Sequence, residues 1–170
     1  MEKFTEKLLK ILEKDSRYSV ADLASMLGES VETIEKTIEK LEKEKIICGY
    51  KTIIDWDKVS DVHVTALIEL QVKPQKNAGF EEIAETIMQM SEVESVYLMS
   101  GSYDLSVTVK GRSFKEVALF VAKRLAVMEN IESTATSFVL RSYKEIGVKM
   151  IDNESDDRGA FSFWLTMMKF

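Results

Sequence analysis

Residues 2–14 set Phe4, Leu8, Ile11 and Leu12 on one face of an otherwise charged segment, the spacing of a short amphipathic helix. Val20, Leu23, Ala24 and Leu27 repeat that spacing, and Gly28 stands where a helix C-terminal glycine belongs. Ser30 then reads as an N-cap with Glu32 in the first turn. Behind it Val31, Ile34, Ile38 and Leu41 form a third apolar stripe. Two short helices separated by "GES" are a helix-turn-helix in outline. The next stretch, "IICGYKTIID" (46–55), is rich in β-formers and predicts a strand leaving the small bundle. A polar run, "DWDKVSD", separates this part from the remainder of the chain.

The rhythm then changes from helical spacing to alternation. Val64, Ala66, Ile68, Leu70 and Val72 predict a strand stopped by Pro74, and Phe80, Ile83, Ala84 and Ile87 a helix after it. Strands are expected over 93–100 and 103–110. "SFKE" (113–116) reads as a capping box from Ser113 to Glu116, opening a helix with Val117, Phe120, Val121 and Leu125 inside. A last strand is expected over about 131–141. The order β-α-β-β-α-β predicts an α+β, ferredoxin-like unit, a four-stranded antiparallel sheet with both helices on one face. The other face would carry an appreciable apolar area, which predicts pairing with a second copy and hence a homodimer.

Composition narrows the class. At 45% apolar and 31% charged the chain reads as an ordinary globular protein. Its longest unbroken apolar run, "VALFVA" (117–122), is too short to cross a bilayer. One cysteine, Cys48, leaves no internal disulfide, and a charged N-terminus is unlike a secretory signal, so a cytoplasmic location is expected. Net charge is −6; residues 1–60 hold 11 basic and 13 acidic residues, the remainder 12 and 16. Neither part has the basic excess of a typical nucleic-acid footprint, so the helix-turn-helix must make its case locally.

On that motif the second helix would enter a major groove, with Ser30, Thr33, Lys36, Thr37 and Lys40 facing the duplex and Arg17 and Lys51 near phosphates. Glutamates interleave with these lysines at helical spacing, Glu32 with Lys36, Glu39 with Lys43 and Lys40 with Glu44, as on any solvated helix. "SGSY" (100–103) suggests a type II′ hairpin turn with glycine at its positive φ. Asp104 is not explained by such a turn. Either it belongs to the turn alone, or the hairpin amides and its carboxylate capture a small zwitterion, the carboxylate taking the ammonium. Thr134, Thr136, Phe138 and Leu140 share one face of the last strand. A lone His63, expected at a strand end, and Cys48, expected as a small apolar filler, offer no metal-ligand or nucleophile pattern. Neither a metal nor a cofactor is expected, and an enzyme is not.

The stretches "DLASMLGESVETIEKTIEKLEKEKIICGYKTIID" (22–55), "VYLMSGSYDLSVTVKG" (96–111) and "IESTATSFVLR" (131–141) together resemble the leucine-responsive/asparagine-type (Lrp/AsnC, feast/famine) transcriptional regulators. The resemblance covers roughly residues 1–148. It implies a helix-turn-helix DNA-binding domain at 1–48, a connecting strand and linker at 49–62, and an effector-binding and dimerisation domain at 63–148. It further implies double-stranded DNA and an amino-acid effector as partners, with homodimers assembling to tetramers or octamers. By the same resemblance Gly101, Ser102, Tyr103 and Asp104 form one wall of the effector site, and Thr134 and Thr136 part of another. Where relatives usually carry arginines on the recognition helix, Lys36 and Lys40 stand here. The remainder, 149–170, is an acidic linker, "DNESDDR", and an apolar tail, "GAFSFWLTMMKF", expected to dock on its own or a neighbouring subunit, or to bind a partner. Two rivals share this plan: a protein-interaction module with little DNA binding, and a haem-pathway decarboxylase-like enzyme.

Overall fold

The computed structural model describes residues 3–59, 63–73 and 79–150. The apolar tail and Pro74 lie outside them. The chain divides into two compact units between Thr52 and Ile53, inside the stretch expected to be the connector.

The first unit holds three helices, α1 (Lys3–Lys14), α2 (Val20–Leu27) and α3 (Val31–Lys43). Leu8, Leu23, Ala24, Ile34 and Leu41 close its core, whereas Val31, at the head of the α3 stripe, is left exposed. Gly28 ends α2 at φ 70°, and its N–H donates to Ala24 O. Ser30 caps α3 by accepting from Thr33 N–H at 3.1 Å. A capping box that the sequence pattern did not single out opens α2. Ser19 Oγ accepts from Asp22 N–H (3.1 Å) while the Asp22 carboxylate accepts from Ser19 N–H (3.1 Å) and Oγ–H (2.6 Å).

Residues 46–55 do not form the expected connecting strand. Composition alone cannot make a strand, because extended backbone needs a hydrogen-bonding neighbour, and none of the strand pairings among the described residues includes this stretch. Tyr50 instead reaches back to α3, its hydroxyl donating to Glu42 Oε1 at 2.9 Å. Cys48 is exposed rather than a core filler, and its thiol donates to Lys45 O.

The second unit follows the β-α-β-β-α-β order: β1 (Val64–Val72), α4 (Phe80–Met88), β2 (Val93–Leu98), β3 (Leu105–Gly111), α5 (Phe114–Phe120) and β4 (Ile131–Phe138). The antiparallel sheet runs β2-β3-β1-β4. All five alternating apolar residues of β1 are buried, together with Leu105, Val107 and Val109 of β3, against Ile83 and Ile87 of α4 and Val117 and Phe120 of α5. Each Val, Leu, Ile or Phe among them contributes on the order of 1.5–3 kcal/mol by leaving water, so the two helices share the face that β1 dictates. α5 runs on into one π-helical turn, Val121–Leu125, whose Leu125 is fully buried. Its expected capping box is half made: Ser113 accepts from Glu116 N–H, but Glu116 Oε2 takes the Arg112 N–H instead of closing on Ser113.

The opposite face is less apolar than expected. Cross-strand register puts Thr65, Glu69, Gln71, Ser106, Thr108, Ser133 and Ser137 on it, with Leu67 and Tyr97 as its large exposed apolar side chains. Burial of one face only keeps the alternation strict, so the positions between the core residues are free to be polar. A small hairpin missed from the sequence, β5 (Lys144–Glu145) and β6 (Val148–Lys149), turns through Ile146 and Gly147 at φ 43° and 84°.

Candidate functional site

In the first unit the DNA-facing candidates divide by what already engages them. Ser30 Oγ and Thr33 Oγ1 bond each other at 2.8 Å while capping α3, and Thr37 Oγ1 donates to Thr33 O at 2.7 Å. Thr37 thus donates within its own helix, while the Ser30–Thr33 pair uses one hydroxyl hydrogen and leaves the other on the exposed start of α3. Lys36 and Lys40 remain well exposed, pairing across one turn with Glu32 (2.6 Å) and Glu44 (4.0 Å). Surface pairs at this spacing are worth a few tenths of a kcal/mol, which leaves both ammonium groups available to a phosphate. The expected third pair, Glu39 with Lys43, is not among the ion pairs of the described residues. Arg17 sits on the turn before α2, its guanidinium on both carboxylate oxygens of Asp15 at 3.1 Å. These bonds hold the Asp15 carboxyl below its ordinary range and push Arg17 higher.

In the second unit the opening of β3 differs from the predicted turn. Leu98 pairs with Leu105, so residues 99–104 form a six-residue connection, and Tyr103 and Asp104 belong to it rather than to the strand. Gly101 does not take a positive φ, which excludes the type II′ turn. The connection is held by its ends. Met99 N–H donates to Asp104 O (2.8 Å), and Asp104 N–H donates to Leu70 O (2.9 Å).

The Asp104 side chain has a structural task there. The register between β1 and β4 shifts between Gln71 and Val72, so Gln71 faces Ser133 but Val72 faces Ile131. Such a bulge interrupts the ladder. The buried Val72 donates its N–H to Asp104 Oδ2 at 2.8 Å, so one carboxylate oxygen anchors the connection to β1. Gly101 and Ser102 are exposed, and Tyr103 is half-buried.

Thr134 and Thr136 stand opposite Leu70 and Ile68, which puts them on the helix-covered face. Among the hydrogen bonds of the described residues none joins them to the connection. Two residues that sequence reasoning passed over do join it, directly and in relay. Gln71 Nε2 donates to Ser102 O at 3.1 Å, and Ser133 Oγ donates to Gln71 Oε1 at 2.6 Å. The alternation of β1 already placed Gln71 on the outer face; only the register put Ser133 beside it.

A cavity of about 220 Å³ opens at the other end of the sheet. His63, stacked on Trp56 with ring centroids 5.3 Å apart, lines it beside the Lys110–Glu94 ion pair of 2.9 Å. His63 is thus the residue before β1, as expected, and none of the predicted effector residues lines this cavity. Among the described residues no group of His, Cys, Asp and Glu is arranged to hold a metal ion, and no helix is long and apolar enough to cross a membrane.

Comparison with known proteins bears on both units. Residues 3–42 match the AsnC-type helix-turn-helix domain, and residues 65–148 the Lrp/AsnC ligand binding domain. The chain is 46% identical over 161 residues to an HTH-type transcriptional regulator of Bacillus subtilis, YugG, covering 92% of this chain and 96% of that one. It is 30% identical over 131 residues to the regulatory protein AsnC of Haemophilus influenzae, covering 77% and 85% of the two chains. Among solved structures, a transcriptional regulator of Neisseria meningitidis in complex with L-methionine superposes with a TM-score of 0.68 at 21% identity, over 85% of this chain and 93% of that one. AsnC of Escherichia coli does so at 0.65 and 24%, over 85% and 95%. At those identities the structural likeness speaks for the fold.

Proposed function

The chain belongs to the Lrp/AsnC family of helix-turn-helix transcriptional regulators, and from that premise we propose that an amino acid or related small metabolite, bound at the 99–104 connection between subunits, controls its attachment to DNA. It is a DNA-binding regulator and not an enzyme. Lys36 and Lys40 on α3 contact phosphates, as does Arg17 on the turn before α2, while Ser30 and Thr33 cap the start of α3 and Thr37 bonds back within it. Lysine supplies a point charge without the bidentate fork that reads guanine, so these contacts set affinity more than sequence choice.

The observation that carries the effector reading is the 99–104 connection itself. Both ends are pinned by Asp104 while Gly101 and Ser102 stay exposed, so backbone amides are presented on a rigid base at the sheet end. Loops positioned on rigid scaffolds are where ligands are commonly held. The L-methionine complex of the Neisseria regulator supports an amino acid as the class. The remaining Asp104 oxygen is the natural acceptor for its ammonium. Thr134 and Thr136 enter the site from a neighbouring copy, since within one chain no hydrogen bond among the described residues joins them to the connection. Homodimers, assembled further, would let effector occupancy change the spacing of paired α3 helices along DNA.

The test has two arms. Mobility-shift titrations on the gene's own upstream region should show binding whose salt dependence falls by roughly one unit of log–log slope for each of Lys36→Ala and Lys40→Ala. A wild-type protein that retards no DNA at low salt refutes the contact assignment. Calorimetry with each standard amino acid should give heat with at least one of them, and silence throughout removes the effector.

A further inference from the structure

We propose that Gln71 is a positioning residue for the effector site, a clamp that sets the middle of the 99–104 connection and ties it to β4. The inference rests on the reading of that connection as the effector site. Asp104 and Met99 secure only its two ends. Between them, among the hydrogen bonds of the described residues, residues 100–103 are held by one, the Gln71 amide on the Ser102 carbonyl. The same amide accepts the Ser133 hydroxyl at 2.6 Å, so one side chain bridges the connection and the outer face of β4.

A primary amide suits both partners. The amide N–H donates to the carbonyl while the amide oxygen accepts the hydroxyl; a carboxylate has no donor for the carbonyl, and an ammonium could meet the hydroxyl only by donating to it. Gln71 is exposed and buries no core surface. Ordering a long glutamine side chain costs about as much as two exposed hydrogen bonds return. The clamp therefore adds little to global stability, and its consequence is geometric. It fixes where the Ser102 peptide points, and so the direction in which the Gly101–Tyr103 amides face. A clamp so close to balance is also responsive. A ligand that orders the connection tightens the Gln71–Ser133 link, and by reciprocity the link raises affinity for the ligand.

The test uses the full chain. Gln71→Met keeps the length of the side chain and removes both bonds; Ser133→Ala removes one, and Ser133→Thr keeps a hydroxyl in place. In ligand-free protein, amide order parameters of residues 100–103 should be lower in Gln71→Met than in wild type, approaching the flexible range below about 0.6, with the thermal midpoint unchanged. Calorimetry with the standard amino acids should show affinity lowered about tenfold by Gln71→Met, less by Ser133→Ala, and restored by Ser133→Thr. If wild type binds an amino acid and Gln71→Met binds it equally, the clamp is overturned. Unchanged order parameters in Gln71→Met overturn it as well. If wild type binds none of them while the order parameters still fall, the effector reading fails and the clamp stands as the fastener of the connection.

Discussion

Replacing Asp104 with alanine separates an anchoring carboxylate from one that serves a ligand alone. Asp104 Oδ2 accepts the N–H of Val72 at 2.8 Å, and Val72 is buried at a point where the β1–β4 register has shifted. Alanine leaves that N–H without its acceptor in a site that water reaches poorly. An orphaned buried donor costs about 1–3 kcal/mol, the upper part applying when the lost partner is charged. With a urea slope of about 1–3 kcal/mol/M, the sheet unit's midpoint should drop by roughly 1 M. Asp104→Asn keeps a carbonyl oxygen on the same stem, so it should recover at least half of the loss. The assay is urea unfolding followed by far-ultraviolet circular dichroism, with hydrogen exchange at the Val72 amide as the local probe. A midpoint and a Val72 exchange rate both unchanged in Asp104→Ala would show that the carboxylate anchors nothing.

Two further outcomes concern the caps and turns. Ser19→Ala opens the α2 capping box and should destabilise the helical unit by about 1 kcal/mol. The Ser19 hydroxyl and N–H hold the Asp22 carboxyl below its ordinary value, so the carboxylate's own share of the box is complete above the usual carboxylate range and is lost as pH falls through the depressed value, while the Asp22 N–H bond to Ser19 Oγ persists. Carbon-detected titration of Asp22 should show its midpoint rising in Ser19→Ala, and an unmoved midpoint refutes the box. Ile146, three-quarters exposed, holds φ 43° beside Gly147 in a turn that suits Asn-Gly. Ile146→Asn should therefore relieve about 1 kcal/mol of left-handed strain and slow exchange of the Met150 amide, which donates to Tyr143 O; faster or equal exchange counts against strain at this residue.

Much of the architecture was legible because it depends on periodicity. The five alternating residues of β1 and the stripes through Leu8, Leu23, Ile34 and Leu41 are the ones the structure buries, since a pattern of period 2 or 3.6 has only one way to bring its apolar side inward. Helix ends marked by Gly28 and Ser30 were equally readable, because a positive φ and an exposed N–H each select few residue types. Resemblance to the Lrp/AsnC regulators was readable in the order of those same elements.

What the sequence could not disclose depends on partners distant along the chain. Residues 46–55 have the composition of a strand but no neighbour to pair with among the described residues. The turn residues Gly101 and Ser102 pointed to a two-residue hairpin, while the Leu98–Leu105 pairing made a six-residue connection of it. Asp104 appeared as an unexplained carboxylate until the bulge at Gln71 and Val72 supplied the N–H it satisfies, and Gln71 acquired a role only when the register brought Ser133 beside it. Local spacing determined which faces are buried; long-range register, which no local pattern encodes, decided which polar groups meet.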